Sequence, residues 1–141
     1  MGKINFGRVV LGGLVAGLVL SIGEYLLNDM VLASQMKDYF SQHRFPTPGG
    51  SAIGIAVAIT FVLGIFLILL YALIRPRLGA GPKTAICAGL AAWFCIYFYN
   101  NIVGAALGFV PSGILPVALV WGLAEYVLAA LAGAALYKEE G

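Results

Sequence analysis

Four apolar runs, each long enough to cross a bilayer, constrain this chain more than anything else in it. They cover residues 9–33, 52–74, 84–110 and 113–137, against a need of about 20 residues per helical span. Inside hydrocarbon every backbone N–H and C=O must find a partner within the protein, so a span is a helix or part of a closed barrel. None of the runs alternates apolar and polar residues as barrel strands do. The sequence therefore predicts an all-α, polytopic membrane protein, one four-transmembrane-helix bundle occupying 1–141. Composition agrees. Only 10% of the residues are charged and 62% are hydrophobic, whereas a soluble domain carries roughly 25% charged residues. A net charge of +2 without a basic run gives no footing for nucleic acid, which leaves the lipid bilayer as the first partner.

Prolines and glycines punctuate the joins. Residues 75–83, Arg-Pro-Arg-Leu-Gly-Ala-Gly-Pro-Lys, read as a tight polar turn whose prolines stop one helix and open the next. Val110-Pro111-Ser112-Gly113 divides the third run from the fourth, with Ser112 placed as an N-cap. Pro116 falls in the first turn of the fourth helix, where its missing N–H costs little. Residues 34–50 form the longest loop. Lys3, Arg8, Arg75, Arg77, Lys83 and Lys138 fall on one side of this plan, Lys37 and Arg44 on the other. The positive-inside rule then places both termini in the cytoplasm. Residues 1–23 also read as a signal peptide, with Lys3 and Arg8 before an apolar stretch and Ser21-Ile22-Gly23 as the cleavage site. Against that, hydrophobicity resumes at once in Tyr25-Leu26-Leu27, and the spacing of Gly12, Gly13 and Gly17 suits a helix-packing face.

Three helices carry stripes of small and polar residues at helical spacing. The first has Gly13, Gly17, Ser21, Glu24 and Asn28. The third has Gly89, Ala92, Ile96, Asn100, Gly104 and Gly108, and the fourth has Ala118, Gly122, Glu125, Ala129 and Gly133. Small residues let membrane helices approach closely. The first, third and fourth helices are thus expected to pack through Gly13, Gly17, Gly89, Gly104, Gly108, Gly122 and Gly133. The second, with only Gly54, Ala58 and Gly64, is expected to be the most lipid-exposed.

Glu24 and Glu125 carry the functional question. A charge near the bilayer centre costs a few kcal/mol even on lenient insertion scales, so it normally faces a partner or a water-filled cavity. Glu24 lies about 15 residues, or roughly 22 Å, above the inner boundary. Asn100 falls at a similar level and Glu125 near mid-depth, so the three are expected to line one pocket opening outward. Each glutamate follows a small residue and precedes a tyrosine (Gly23-Glu24-Tyr25, Ala124-Glu125-Tyr126), the trace of an internal repeat. The candidate ligand or proton pathway comprises Glu24, Glu125, Asn100, Asn101, Asn28, Tyr25 and Tyr126. The competing reading is architectural. Asn100 and Asn101 then serve as interhelical hydrogen-bonders, and a protonated glutamate donates to Asn100 or a tyrosine. Glu24, Asn28 and Asp29 could equally form a hydrated end paired with Lys37 or Arg44.

Several chemistries lack their residues. The single histidine, His43, lies in the long loop, so the spans offer no haem ligand, and no Cys/His cluster makes a zinc site. No phosphate-binding glycine motif follows a strand, and without a histidine on a span no Ser/His/Asp set could act inside the membrane. No metal, no cofactor and no catalytic residue is assigned. Cys87 and Cys95 lie about 12 Å apart along one helix, too far to bridge, and read as small core residues. Trp93, Phe94, Tyr97, Phe98 and Tyr99, with Trp121, are expected to fill the bundle or contact lipid; a quinone beside Glu24 and Asn100 is the alternative.

Asn5 just before the first span, the Gly89-Leu90-Ala91-Ala92-Trp93 run and Asn100-Asn101 accompany a layout that spans the whole chain. In these it resembles the small uncharacterised four-helix inner-membrane proteins common in bacteria. The resemblance implies a place in the bacterial inner membrane and no particular activity. The first functional expectation is a non-enzymatic accessory, scaffold or interaction subunit of a larger membrane complex. The second is a small transporter or channel with Glu24, Glu125 and Asn100 on its path, homo-oligomeric because four spans enclose little volume. A quinone- or lipid-binding membrane enzyme comes last.

Overall fold

In the computed structural model, which describes residues 3–139, Asn5 opens the first helix. Its side chain accepts a hydrogen bond from the Arg8 N–H at 3.0 Å, satisfying one of the donors that a helix start leaves free. Helix α1 (Phe6–Leu26) widens into a π-helical turn over Leu27–Val31, and a short α2 (Ala33–Gln42) follows. Helix α3 (Gly50–Leu78) returns. The third span is composite: α4 (Pro82–Ala92), a π-helical stretch (Trp93–Phe98) and α5 (Tyr99–Ala106). A 3-10 turn (Ser112–Ile114) leads into α6 (Leu115–Leu136). Phe6–Val31, Gly50–Leu78, Pro82–Ala106 and Ser112–Leu136 are each long and apolar enough to cross a membrane. No strand forms among the described residues.

The joins differ from the sequence reading in four places, the first being Ser112, which opens the 3-10 turn and caps neither it nor α6. Pro76 does not stop its helix: α3 runs through it to Leu78, because a proline ring removes one backbone bond without unwinding the flanking turns when the site tolerates it. Gly79 is the real stop, at φ 85°, with its N–H bonded to the Arg75 carbonyl at 2.8 Å. The third span ends at Ala106, not Val110. Gly108 turns the backbone to φ 78°, and the Gly104 carbonyl takes the N–H groups of Phe109 (2.8 Å) and Val110 (3.2 Å). Finally, much of the expected loop is α2. Met36 tucks against Leu27, Leu32, Ile114 and Ala118, and the Tyr39 hydroxyl donates to the Gly108 carbonyl. Tyr39→Phe is expected to cost about 1 kcal/mol and to speed amide exchange across 33–42 while leaving α1 and α6 unchanged. Equal protection in both proteins would show that this latch holds nothing.

The second span, expected to be the most exposed, is with the third the least buried of the four, yet it packs tightly on α1 and is not outside the close packing of the bundle. Helices α1 and α3 cross at Gly13, Gly17 and Gly64 so closely that a Cβ on Gly64 would lie 2.3 Å from the Gly17 nitrogen and 2.4 Å from the Gly13 carbonyl oxygen. One glycine at the crossing point achieves this, so the length of a small-residue stripe is a poor gauge of packing. Helix α6 packs on both α1 and α4, whereas α1 and the third span stand at opposite corners. Gly12 and Gly133 bring α1 and α6 together, with a Cβ on Gly12 falling 2.5 Å from the Gly133 oxygen. Gly89 lets α4 reach the backbone of Tyr126, and Gly122 yields its space to the Tyr97 ring. Gly104 lies under Val110 and Gly108 faces open space, so these two shape the end of the third span and not a helix interface.

Residues 50–59 of α3 are all exposed, and burial begins only at Thr60. At the other end, Arg75 pairs with Glu139 at 3.5 Å and lies over the Tyr137 ring, which meets Tyr71 edge-on. The stretch that also reads as a signal peptide supplies Val9, Ala16 and Leu20 to the buried core. Apolar side chains such as Leu14, Leu18, Ile55 and Val120 cover the exterior. Cys87 and Cys95 are free and face outward, not into the core: the small inward positions of α4 are taken by Ala85, Ala88, Gly89 and Ala92.

Candidate functional site: an acidic cleft

Beyond the glycine crossing, on the side away from the termini, α1 and α3 flank a cleft of about 580 Å³. Helix α1 and its π-helical turn contribute Ser21, Glu24, Tyr25, Asn28 and Asp29; α3 contributes Ala52, Ala56 and Thr60; Glu125 and Tyr126 of α6 line it as well. The polar side chains come mostly from α1, whose stripe continues past the crossing on the face turned to the cleft.

Glu125 is the unusual member. It is 5% exposed, and neither carboxyl oxygen has a hydrogen-bond partner among the described residues. Gly23 makes its room: a Cβ there would lie 2.5 Å from Oε2 of Glu125. Beside it the Trp121 indole N–H donates to the Gly23 carbonyl at 3.2 Å, fastening α6 to α1. Glu24, the next residue along α1, accepts from the Asn28 amide at 2.8 Å, and the same amide reaches the Glu24 carbonyl at 2.9 Å. The Ser21 hydroxyl is buried and unpartnered. Among the described residues no basic side chain lines the cleft. Neither Lys37 nor Arg44 pairs with Glu24 or Asp29 among the described residues; the ion pair there is Arg75–Glu139, at the far end.

The pocket expected from Glu24, Glu125 and Asn100 forms without the asparagine. Asn100 is exposed and donates to the Ile96 carbonyl at 2.7 Å, while Asn101 donates to the Tyr97 carbonyl at 2.9 Å. Both serve their own helix. The third span stands diagonally from α1, and its π-helical stretch shifts the register after Ala92, so a stripe drawn at 3.6 residues per turn misplaces everything beyond it. Tyr25 borders the cleft but is largely exposed; Tyr126 is buried. Two neighbours were not among the sequence candidates. Tyr97 lies on Gly122 with its ring 5.7 Å from that of Tyr126, and no regular periodicity would have placed it there. Gly23 had a visible signal, the small residue before each glutamate.

A second hollow of about 730 Å³ runs between α1 and α6 on the neighbouring face of α1. Val19, Ile22, Leu26, Val120, Trp121 and Leu128 line it, and its one ionisable residue among those described is again Glu125. One buried carboxylate is therefore shared by a polar cleft and an apolar groove. Among the described residues no three His, Cys, Asp or Glu side chains gather to hold a metal ion. What the arrangement offers chemically is a pair of acids without a counter-charge, able to accept hydrogen bonds or to pair with a cation. Comparison with known proteins finds no matching family model, no matching curated protein and no matching solved structure.

Proposed function

We propose that this chain is an integral membrane protein that binds a cation at the acidic cleft and carries it, with Glu125 as the principal contact and Glu24 as its neighbour. The observation behind this reading is the Glu125 carboxylate, buried with both oxygens unpartnered. An acid in such a place is costly to ionise unless something pairs with it, and among the described residues its oxygens have no hydrogen-bond partner and no basic group lines the cleft. Unused acceptors in an acidic cleft are the complement of a cation that donates hydrogen bonds. In the orientation given by the basic residues, both termini lie in the cytoplasm of a bacterial inner membrane and the cleft opens outward. Passage across the whole bilayer takes two or more copies, since four helices enclose little volume.

Proteoliposomes on a solid-supported membrane provide the test. A methylammonium jump is expected to give a transient charge displacement that saturates with concentration. Glu125→Gln should shrink its amplitude at least tenfold, and Glu24→Gln should raise the half-saturating concentration. A transient no larger than that of empty liposomes would overturn the reading.

A second reading, an accessory subunit of a larger membrane complex, is favoured by a separate feature. Phe94, Cys95, Phe98, Tyr99, Ile102 and Val103 border an outward-facing furrow of about 550 Å³ on the third span. Native mass spectrometry of the protein released from its own membranes tests it: a defined complex with larger subunits supports this reading, and a clean homo-oligomer opposes it.

A further inference from the structure

We infer that the cation is an alkyl amine drawn sideways from the bilayer, its ammonium meeting Glu125 while its tail lies in the groove between α1 and α6. The inference rests on the acidic-site reading and adds the ligand class and the route.

The groove and the carboxylate together select the ligand. Its about 730 Å³ falls in the size range of small-molecule sites, which combine apolar walls with a few placed polar groups. Here the walls are aliphatic apart from Trp121, and among the described residues Glu125 is the one ionisable group. A tail alone would find nothing to fix its position. A fatty acid would bring a second negative charge to a carboxylate already lacking a counter-charge, and an alcohol would bring none. An amine supplies the positive charge and the N–H donors that the two unpartnered oxygens lack.

The route follows from exposure. Ile22, Val117, Val120 and Leu128 line the groove and are also exposed on the exterior of the bundle. The groove therefore opens along the flank of the protein, where hydrocarbon would surround it, and not at a loop end. Glu125 belongs to its wall and equally to that of the polar cleft, where Ser21, Glu24 and Asn28 continue. A molecule with an apolar tail and a charged head meets the two environments in the order in which it needs them.

Trp121 reports on the groove directly. In a Trp93→Phe background, and in nanodiscs of phosphatidylcholine, dodecylamine brominated at its tail is compared with dodecanol brominated at the same carbons. Bromine quenches indole fluorescence on contact. The amine is expected to quench Trp121 saturably at a bilayer concentration at least tenfold below that of the alcohol, and Glu125→Gln should erase that difference. Equal quenching by the two probes, or an amine preference that survives Glu125→Gln, would overturn the inference. If the methylammonium transient persists beside either result, the tail-binding inference alone fails. If it is absent too, the acidic-site reading fails with it.

Discussion

Gly64→Ala is expected to destabilise the bundle by about 3 kcal/mol or more, at or above the upper end of the usual range for overpacking. The new methyl would lie 2.3 Å from the Gly17 nitrogen and 2.7 Å from its Cα. Backbone cannot rotate away as a side chain can, so α1 and α3 must separate along their whole contact. Gly54→Ala is the control on the same helix. Nothing lies within 4 Å of a Cβ at that position, and alanine is favoured over glycine inside a helix by roughly 0.5–1 kcal/mol. It should therefore be neutral or mildly stabilising. Unfolding both variants with sodium dodecyl sulfate in mixed micelles, followed by circular dichroism, gives the comparison. Similar effects from the two substitutions would mean that the crossing does not hold the fold together.

Glu125→Met is expected to move stability and function in opposite directions. Methionine nearly matches glutamate in length, is flexible enough to fill the same space beside Gly23, and places no polar atom without a partner there. Removing a buried group whose hydrogen bonds are unmade should stabilise the protein by about 1–3 kcal/mol. The methylammonium response should disappear with it. Such a trade is what a site kept for binding produces, since it holds an unfavourable arrangement that only its ligand completes. The same unfolding titration, set beside the charge-displacement assay, reads both quantities. A clear loss of stability would show that the carboxylate is held by the fold, and the cation reading would lose its basis.

The extent to which the sequence discloses this protein follows from how local each property is. Apolar length is local, so the number of spans and most of their ends could be read directly. Helix punctuation is less so: Pro76 looks like a stop but is carried through, while Gly79 and Gly108 act through positive φ. Partner choice is not local at all. Gly64 decides which helix α1 lies against only because it stands at the depth of Gly13 and Gly17 once both helices are placed. The acids were legible, because a glutamate in an apolar run has few explanations. Their surroundings were legible on α1 and α6, where the residues in question stand before or only just inside any break in the helical pitch. Asn28 and Tyr126 lie at the cleft, on α1's π-helical turn and on the unbroken α6, but Asn100 follows the Trp93–Phe98 irregularity and turns outward.

The α1–α3 crossing also sets the mechanics of the cleft. Gly64 acts as a fulcrum between an end moored by Arg75, Tyr137 and Glu139 and an arm whose first ten residues, 50–59, touch little. That arm reaches roughly 21 Å from fulcrum to tip at about 1.5 Å per residue. A tilt of about 5° would shift the tip by roughly 2 Å, comparable with the radius of a small ammonium head. Segments with few buried contacts move at small free-energy cost, so a tilt of this arm about the crossing would change the width of the mouth without disturbing the pivot.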